Sequence, residues 1–231
     1  MKAILFDCDG TLADSFGLIC ETMQRCFAIA GLAVPERRAI EGIIGLSLDL
    51  AIHRLAPTVR QSDLPALVDI YRQEFHRARS DPAFRETLFE GVEPLLRRLA
   101  SQDDALVGMV TGKSRRGVAN VVAAHGLEGI FLAVRTADDC PSKPHPAMVL
   151  ECSSELGIDP AETVVVGDAI YDMQMANAAG ARAIGVSWGA CEPAVLTAAG
   201  AHEVALDVSD LEQRLAAFLS PAPVILETVL D

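Results

Sequence analysis

From Val92 onward, short apolar runs of strand length alternate with segments of helix length, and this alternation restricts the fold more than any other feature of the chain. Helices are expected over Val92–Ala100, Arg115–His125, Pro146–Leu156, Met173–Ala179 and Leu211–Phe218. Strands are expected at Ala105–Val110, Ile130–Val134, Thr163–Val166 and Ala183–Val186. Strands that alternate with helices pair in parallel and are covered on both faces, which predicts an α/β fold. One more strand, Ala3 to Phe6, opens the chain and stops at Asp7. Between Ser15 and about Leu88 the pattern changes: helical spacing recurs at Leu18, Met23, Phe27 and Ile29, then over Arg38–Ile44, Leu48–Leu55 and Leu64–Ala78, and strand-like runs are lacking. The α/β part, residues 1–14 and 90–231, is therefore expected to be interrupted by an all-helical segment over 15–89, with Glu90-Gly91-Val92 as the return.

Charge follows the same division. The chain carries 19 basic and 32 acidic residues, a net charge of −13, yet residues 15–88 hold nine of each, so the whole excess falls on the α/β part. A field of that sign repels phosphate polyanions and argues against nucleic acid or an anionic membrane as partner, while suiting divalent cations. Only three lysines occur, Lys2, Lys113 and Lys143, so a site that needs an ammonium has few sources. Cys8, Cys20, Cys26, Cys140, Cys152 and Cys191 show no metal or disulfide spacing and read as buried thiols of a cytoplasmic protein. No leader or membrane-length apolar run is read in the sequence. The Pro-rich end from Ser220 to Pro223 reads as a tail.

Four polar motifs follow apparent strands. In Asp7-Cys8-Asp9-Gly10-Thr11 the two carboxylates, two apart in extended backbone, point the same way, and Gly10 allows a tight exit. One carboxylate there can attack phosphorus or bind Mg²⁺, and the other can hand over a proton. Alone, the motif could equally be a solvated acidic turn. Gly167-Asp168 and Asp172 follow the Thr163–Val166 strand and offer oxygen ligands of the kind Mg²⁺ takes, although both could merely cap the next helix. Thr111-Gly112-Lys113 offers a hydroxyl and an accessible N–H near a helix start, or else an ordinary turn. Lys143, between Ser142 and Pro144, is either a fixed ammonium or a surface lysine. In an alternating α/β pattern all four motifs converge on one edge of the sheet, which the bland alternatives do not explain together.

With these residues in view, the chain resembles the haloacid dehalogenase superfamily, in its phosphoglycolate-phosphatase-like branch with a helical cap. The resemblance rests on Asp7 to Ser15, Thr111-Gly112-Lys113, Ser142-Lys143-Pro144, Gly167 to Asp172 and Met175 to Ala181, and runs from residue 2 to about 218. It implies a Rossmann-like core with an inserted helical cap, and Mg²⁺ as cofactor. It implies that Asp7 attacks phosphorus to form an aspartyl phosphate and that Asp9 is the acid and base. It implies that Asp7, the Asp9 backbone carbonyl and Asp168 hold the metal, with Asp172 supporting that shell or positioning Lys143. Thr111, Gly112 and Lys143 would bind the phosphate, and the substrate would be a small phosphorylated metabolite in a monomer or homodimer.

The family's other chemistries separate on single residues. Dehalogenases do not need the Asp9 carboxylate, and phosphonate-cleaving relatives use a cap lysine, of which residues 15–89 hold none. β-Phosphoglucomutase-like enzymes carry a hinge histidine where this chain has Ile19-Cys20, and a cap arginine where it has Leu48. A non-catalytic binding module would have no reason to keep Asp7, Asp9, Lys143 and Asp168 together. Substrate choice is expected to lie with the turn around Gly45 and Ser47 and with some of Arg37, Arg38, Arg54, Arg72, Arg77, Arg79 and Arg85. None of the five histidines is assigned a role, and Trp188 reads as core or rim packing.

Overall fold

The computed structural model describes residues 1–81, 84 and 86–220; Arg85 and the Pro-rich stretch beyond Ser220 lie outside them. The chain begins with β1 (Lys2–Phe6) and a short β2 (Ala13–Asp14). Four helices follow: α1 (Phe16–Ile29), α2 (Arg37–Glu41), α3 (Leu48–Leu55) and α4 (Leu64–Ala78). The chain returns through β3 (Thr87–Leu88) to α5 (Val92–Ala100), β4 (Ala105–Val110), α6 (Arg115–His125), β5 (Ala133–Arg135) and α7 (Ala147–Leu156). It ends with β6 (Thr163–Gly167), α8 (Ile170–Ala179), β7 (Arg182–Val186), α9 (Pro193–Ala198), β8 (Glu203–Ala205) and α10 (Val208–Leu219).

Six strands form one parallel sheet in the order β5-β4-β1-β6-β7-β8. The central strands are apolar throughout because each face meets a different core. Ile4 and Phe6 of β1, with Val107, Met109, Val164 and Val166 of its neighbours, pack on the face covered by α5, α6 and α10. Leu5, Val110 and Val165 point the other way, into the core closed by α7, α8 and α9. This is the doubly wound sheet expected from the alternation. The helices α1 to α4 build a third apolar cluster of their own around Met23, Phe27, Ile52 and Leu67.

The structure departs from the sequence reading at several places. The expected Ile130–Val134 strand is limited to Ala133–Arg135, because Ile130 enters the core from a loop that hydrogen-bonds back to Leu127. The expected Arg38–Ile44 helix stops at Glu41, and its apolar remainder, Ile43 and Ile44, is buried in a turn that reaches Gly45 with φ +97°. The segment thought to lack strands contributes Thr87–Leu88, which pairs antiparallel with Ala13–Asp14, so the exit and return of the helical segment are stitched together. Finally α9 and β8 were not foreseen; both are short. All six cysteines are free thiols, five of them buried and Cys191 half-buried. Among the described residues no helix is long and apolar enough to cross a membrane.

Leu96 is fully buried in the core beneath α5. Leu96→Ala should therefore lower stability by about 2–5 kcal/mol through lost transfer energy and a residual cavity. Urea unfolding followed by the fluorescence of Trp188, the one tryptophan of the chain, measures the change as a lower midpoint at constant slope.

Candidate active site

Asp7 directly follows β1, and its N–H donates to Val166 O of β6 at 2.9 Å. Asp168 directly follows β6. Because β1 and β6 are hydrogen-bonded parallel neighbours, both carboxylates leave the sheet at the same edge. Asp172 comes from the first turn of α8, which starts three residues earlier than the sequence pattern indicated. Ligand oxygens from Asp7, Asp168 and Asp172 all lie within 4.8 Å of one another.

Lys143 closes this group. It is not a surface lysine: it is fully buried, with Nζ 2.7 Å from Asp7 Oδ1 and 2.5 Å from Asp172 Oδ1. The remaining oxygens have small fixed donors. Thr11 Oγ1 donates to Asp168 Oδ1 at 3.0 Å, Ala190 N–H to Asp168 Oδ2 at 2.7 Å, and Ala169 N–H to Asp172 Oδ2 at 3.1 Å. Asp172 thus caps its helix and holds Lys143 at once, so the two roles weighed for it coexist. Asp7 Oδ2 is different: it is buried and has no hydrogen-bond partner.

Glycines make the enclosure possible. A Cβ on Gly10 would stand 2.1 Å from Asp168 Oδ2, and one on Gly189 would stand 2.1 Å from Asp168 Cβ. Gly10 also has φ +87°, a conformation that side chains resist. Backbone therefore surrounds Asp168 from two loops with no room for any larger residue.

Three buried carboxylates face one buried ammonium, an excess of two negative charges, and the titration of the group reflects it. Burial raises Asp7 from 3.8 to about 7, with Lys143 pulling it down and Asp172 pushing it up. Burial, then Asp7 and Asp172, hold Asp168 well above the ordinary carboxylate range. Burial alone would lower Lys143, but Asp172 and Asp7 hold its ammonium above its usual value. A bare buried charge costs several kcal/mol. The excess charge, the all-oxygen donor set and the unpartnered Asp7 Oδ2 fit a hard divalent cation such as Mg²⁺.

Asp9 lies apart from this trio. Its Oδ1 accepts from Ser15 Oγ at 2.6 Å and from Lys113 Nζ at 2.6 Å, and Lys113 also meets Glu86 Oε1 at 2.7 Å. Asp9 lines a cavity of about 740 Å³ between the helical segment and the sheet edge, together with Ser47, Tyr71, Gly112 and Lys113. Thr111 is buried after β4, its N–H bound to Arg135 O at 3.0 Å and its Oγ1 accepting from Lys113 N–H at 3.2 Å. A Cβ on Gly112 would come 2.4 Å from Gly45 O and 2.5 Å from Leu46 O, so the Gly45 turn sits directly on this loop. Ser47 N–H donates to Ser142 Oγ at 2.8 Å, next to Lys143.

Among the arginines singled out, Arg72 and Arg79 line the cavity. Arg37 and Arg77 pair with Glu41 and Glu74 on their own helices. Arg54 instead donates to Tyr171 Oη at 2.7 Å and stacks on its ring at 5.1 Å. Trp188 packs edge-on to Phe89 and donates to Thr11 O at 3.1 Å, consistent with rim packing. Glu86, the bond from Ser15 to Asp9 and the enclosure of the Lys113 side chain escaped the sequence reading. Glu86 stands isolated in a stretch without periodicity, and Lys113 reads as one of three lysines and as the end of the Thr111-Gly112-Lys113 motif, without a role of its own.

The sequence matches the haloacid dehalogenase-like hydrolase family over residues 4–186. It is 36% identical over 188 residues to the probable phosphatase IndB of Dickeya dadantii, covering 80% of this chain and 81% of that one. It is 32% identical over 201 residues to a phosphoglycolate phosphatase of Chromobacterium violaceum, covering 86% and 90%. Its fold superposes on the crystal structure of a hydrolase from Pseudomonas syringae with a TM-score of 0.84 at 25% identity, covering 95% of this chain and all of that one. The parallel sheet, the aspartates at its edge and the family match over most of the chain lead to one assignment: the chain belongs to the haloacid dehalogenase-like hydrolases, enzymes here of the phosphatase type.

Proposed function

We propose that the chain is a Mg²⁺-dependent phosphatase of a small phosphate monoester, acting through a phosphorylated Asp7. The observation that carries this reading is Asp7 Oδ2, a buried carboxylate oxygen without a partner, beside a fixed ammonium and two further carboxylates. In this reading residues 1–14 and 90–231 form the catalytic core and residues 15–89 a cap. Asp7, the Asp9 backbone carbonyl and Asp168 would hold Mg²⁺. Asp172 supports them, since both its oxygens are already engaged by Lys143 and Ala169 N–H. The cation supplies neutralisation of charge on the phosphoryl oxygens.

The chain's own residues carry the rest. Asp7 Oδ2 attacks phosphorus as the bond to the leaving oxygen breaks, and Asp9 gives that oxygen a proton. Asp9 then takes a proton from water, whose oxygen displaces Asp7 and releases inorganic phosphate. Lys143 anchors the Asp7 carboxylate and, with Thr111 and the Gly112 N–H, binds phosphoryl oxygens. The Gly45–Ser47 turn closes the cavity above Gly112 and keeps bulk water from the phosphorylated aspartate. Phosphoglycolate is the first substrate to try, because a relative at 32% identity bears that name. The acidic charge and free thiols fit a cytoplasmic enzyme of small metabolites, as monomer or homodimer.

Phosphate release from phosphoglycolate, sugar phosphates, nucleotides and pyrophosphate, with Mg²⁺ and with EDTA, tests the reading. Release that depends on Mg²⁺ is expected; no release from any member would overturn it, and a glucose 1-phosphate isomerisation assay would then test the mutase alternative. Asp7→Asn should lower turnover by on the order of 10³-fold or more while the protein still folds. Asp168→Ala should raise the Mg²⁺ concentration needed for half-maximal activity, and an unchanged requirement would move the metal elsewhere.

A pH dependence also follows. A carboxyl whose folded pKa is raised stabilises the fold below its ordinary pKa, and that stability is lost as pH rises through the folded value. For Asp7 the window runs from 3.8 to about 7. The unfolding temperature of the metal-free protein should fall from pH 4 to pH 8 more steeply than that of Asp7→Asn. Saturating Mg²⁺ should restore the loss at pH 8, by about 2.7 kcal/mol when the cation is at a hundred times its dissociation constant.

A further inference from the structure

Lys113 has no part in the chemistry described so far, yet it is one of the most tightly built side chains near the cavity. Its side chain is 7% exposed, and its ammonium is divided between Asp9 Oδ1 at 2.6 Å and Glu86 Oε1 at 2.7 Å. Phe75 of α4 presents its ring centroid 5.8 Å from the same ammonium. The aliphatic stem lies in a groove made for it. A Cβ on Gly117 would come 2.6 Å from Lys113 Cγ and 3.1 to 3.2 Å from Cδ and Cε. A glycine in the first turns of α6 costs about 1 kcal/mol relative to alanine, and here that cost opens the channel through which Lys113 reaches Asp9.

The three ends of this bridge come from distinct parts of the fold. Asp9 is on the loop after β1, Lys113 on the loop after β4, and Glu86 immediately precedes β3 on the return from the helical segment. The side chain of Glu86 is likewise enclosed, at 6% exposure. Among the described residues, the hydrogen bonds to the Asp9 carboxylate, from Ser15 and Lys113, both fall on Oδ1. That fixes the plane of the carboxylate and leaves Oδ2 for a ligand in the cavity that Asp9 lines.

We propose that Lys113, tethered by Glu86, is the positioning residue of Asp9, holding its carboxyl group so that Oδ2 meets the leaving oxygen of the substrate. Glu86 keeps the ammonium on Asp9 rather than on the incoming phosphate dianion. This inference rests on the phosphatase reading above, with Asp9 as proton donor. In the step concerned, the Asp7–phosphorus bond forms, the phosphorus–oxygen bond to the leaving group breaks, and the Asp9 proton passes to the departing oxygen. An alkoxide needs that proton; a p-nitrophenolate does not. The signature of a misplaced Asp9 is therefore selective slowing of esters with poor leaving groups.

The experiment measures alcohol release in the first turnover, with Mg²⁺, for the best alkyl phosphate of the panel and for p-nitrophenyl phosphate. Lys113→Met should slow the alkyl ester roughly 10²-fold and the aryl ester by less than about five-fold. Asp9→Asn should give the same profile, and adding Lys113→Met to it should change the alkyl-to-aryl ratio no further. Glu86→Gln keeps the shape and loses the tether; it should shift the ratio in the same direction by several-fold, and it carries the test if Lys113→Met does not fold. Equal slowing of both esters, or a further change of ratio in the Asp9→Asn background, would overturn the inference. A wild-type protein that releases neither alcohol would instead overturn the phosphatase reading on which it rests.

Discussion

Much of this structure is arranged around one electrostatic problem, the placement of Asp7, Asp168 and Asp172 against the single ammonium of Lys143 in a region closed to water. Burial opposes each charge, and attraction to one lysine cannot offset three carboxylates. The fold answers with backbone. Main-chain N–H groups of Ala169 and Ala190 donate to two of the three, and side chains are absent at Gly10, Gly167 and Gly189, where a Cβ would collide with Asp168 or Asp172. The parallel sheet supplies the frame, because adjacent strands running the same way deliver Asp7 and Asp168 to the same edge. Stability is lost at this edge and regained in the cores on either side of β1 and β6, where every strand residue from Ala3 to Phe6 and from Thr163 to Gly167 is buried.

The helical segment is not a separate body laid over that edge. Its apolar cluster is completed by Ala169 and Tyr171, which lie between Asp168 and Asp172 in the chain. Tyr171 also donates to Gly42 O at 3.1 Å and accepts from Arg54, so one side chain of the carboxylate loop is anchored in two helical elements. The Gly112 and Gly45 backbones approach as closely as glycine permits. Any displacement of the helices would therefore strip contacts from the same loop that holds Asp168 and Asp172. Closure of the cavity and order in the carboxylate group are physically coupled through Tyr171.

Strand-and-helix alternation was enough to read the sheet, because a strand buried on both faces must be apolar at every position and few other structures demand that. It failed where apolar residues serve burial without regular structure, as at Ile130 and at Ile43 and Ile44. It also failed where elements are too short to show a period, as in β2, β3 and β8. Asp7 and Asp168 were legible because each closes a strand, Asp172 because it follows four residues on near a helix start, and Lys143 because it sits in a stiff segment. Glu86 was not: its partner Lys113 lies on the loop after β4, and the strand next to it, Thr87–Leu88, pairs with Ala13–Asp14 across more than seventy residues, contacts that no local pattern records. Nor could spacing single out, among the candidate arginines, Arg72 and Arg79 as those that line the cavity; Arg72 also pairs with Asp69 on its own helix.

The walls of the cavity bear on which member of the family's chemistry this chain performs. A sugar-phosphate mutase must hold a second phosphate while the first is transferred, and relatives of that kind carry an arginine where this chain has Leu48. Here the helical side of the cavity near α1 and α3 is formed by Ile19, Met23 and Leu48, with Ile43 and Ile44 beside them. Burying a phosphate dianion against such a surface would leave its oxygens without donors, at a cost of several kcal/mol. The cations that line the cavity, Arg72 and Arg79 on and just past α4, Lys113 on the loop after β4 and Arg116 on α6, lie elsewhere on the wall, and Lys113 is already held by Asp9 and Glu86. In the phosphatase reading, an apolar wall there suits the organic part of a substrate that departs and is replaced by water. In the same reading, the bonds from Ser15 and Lys113 to Asp9 Oδ1 would set the direction of proton delivery.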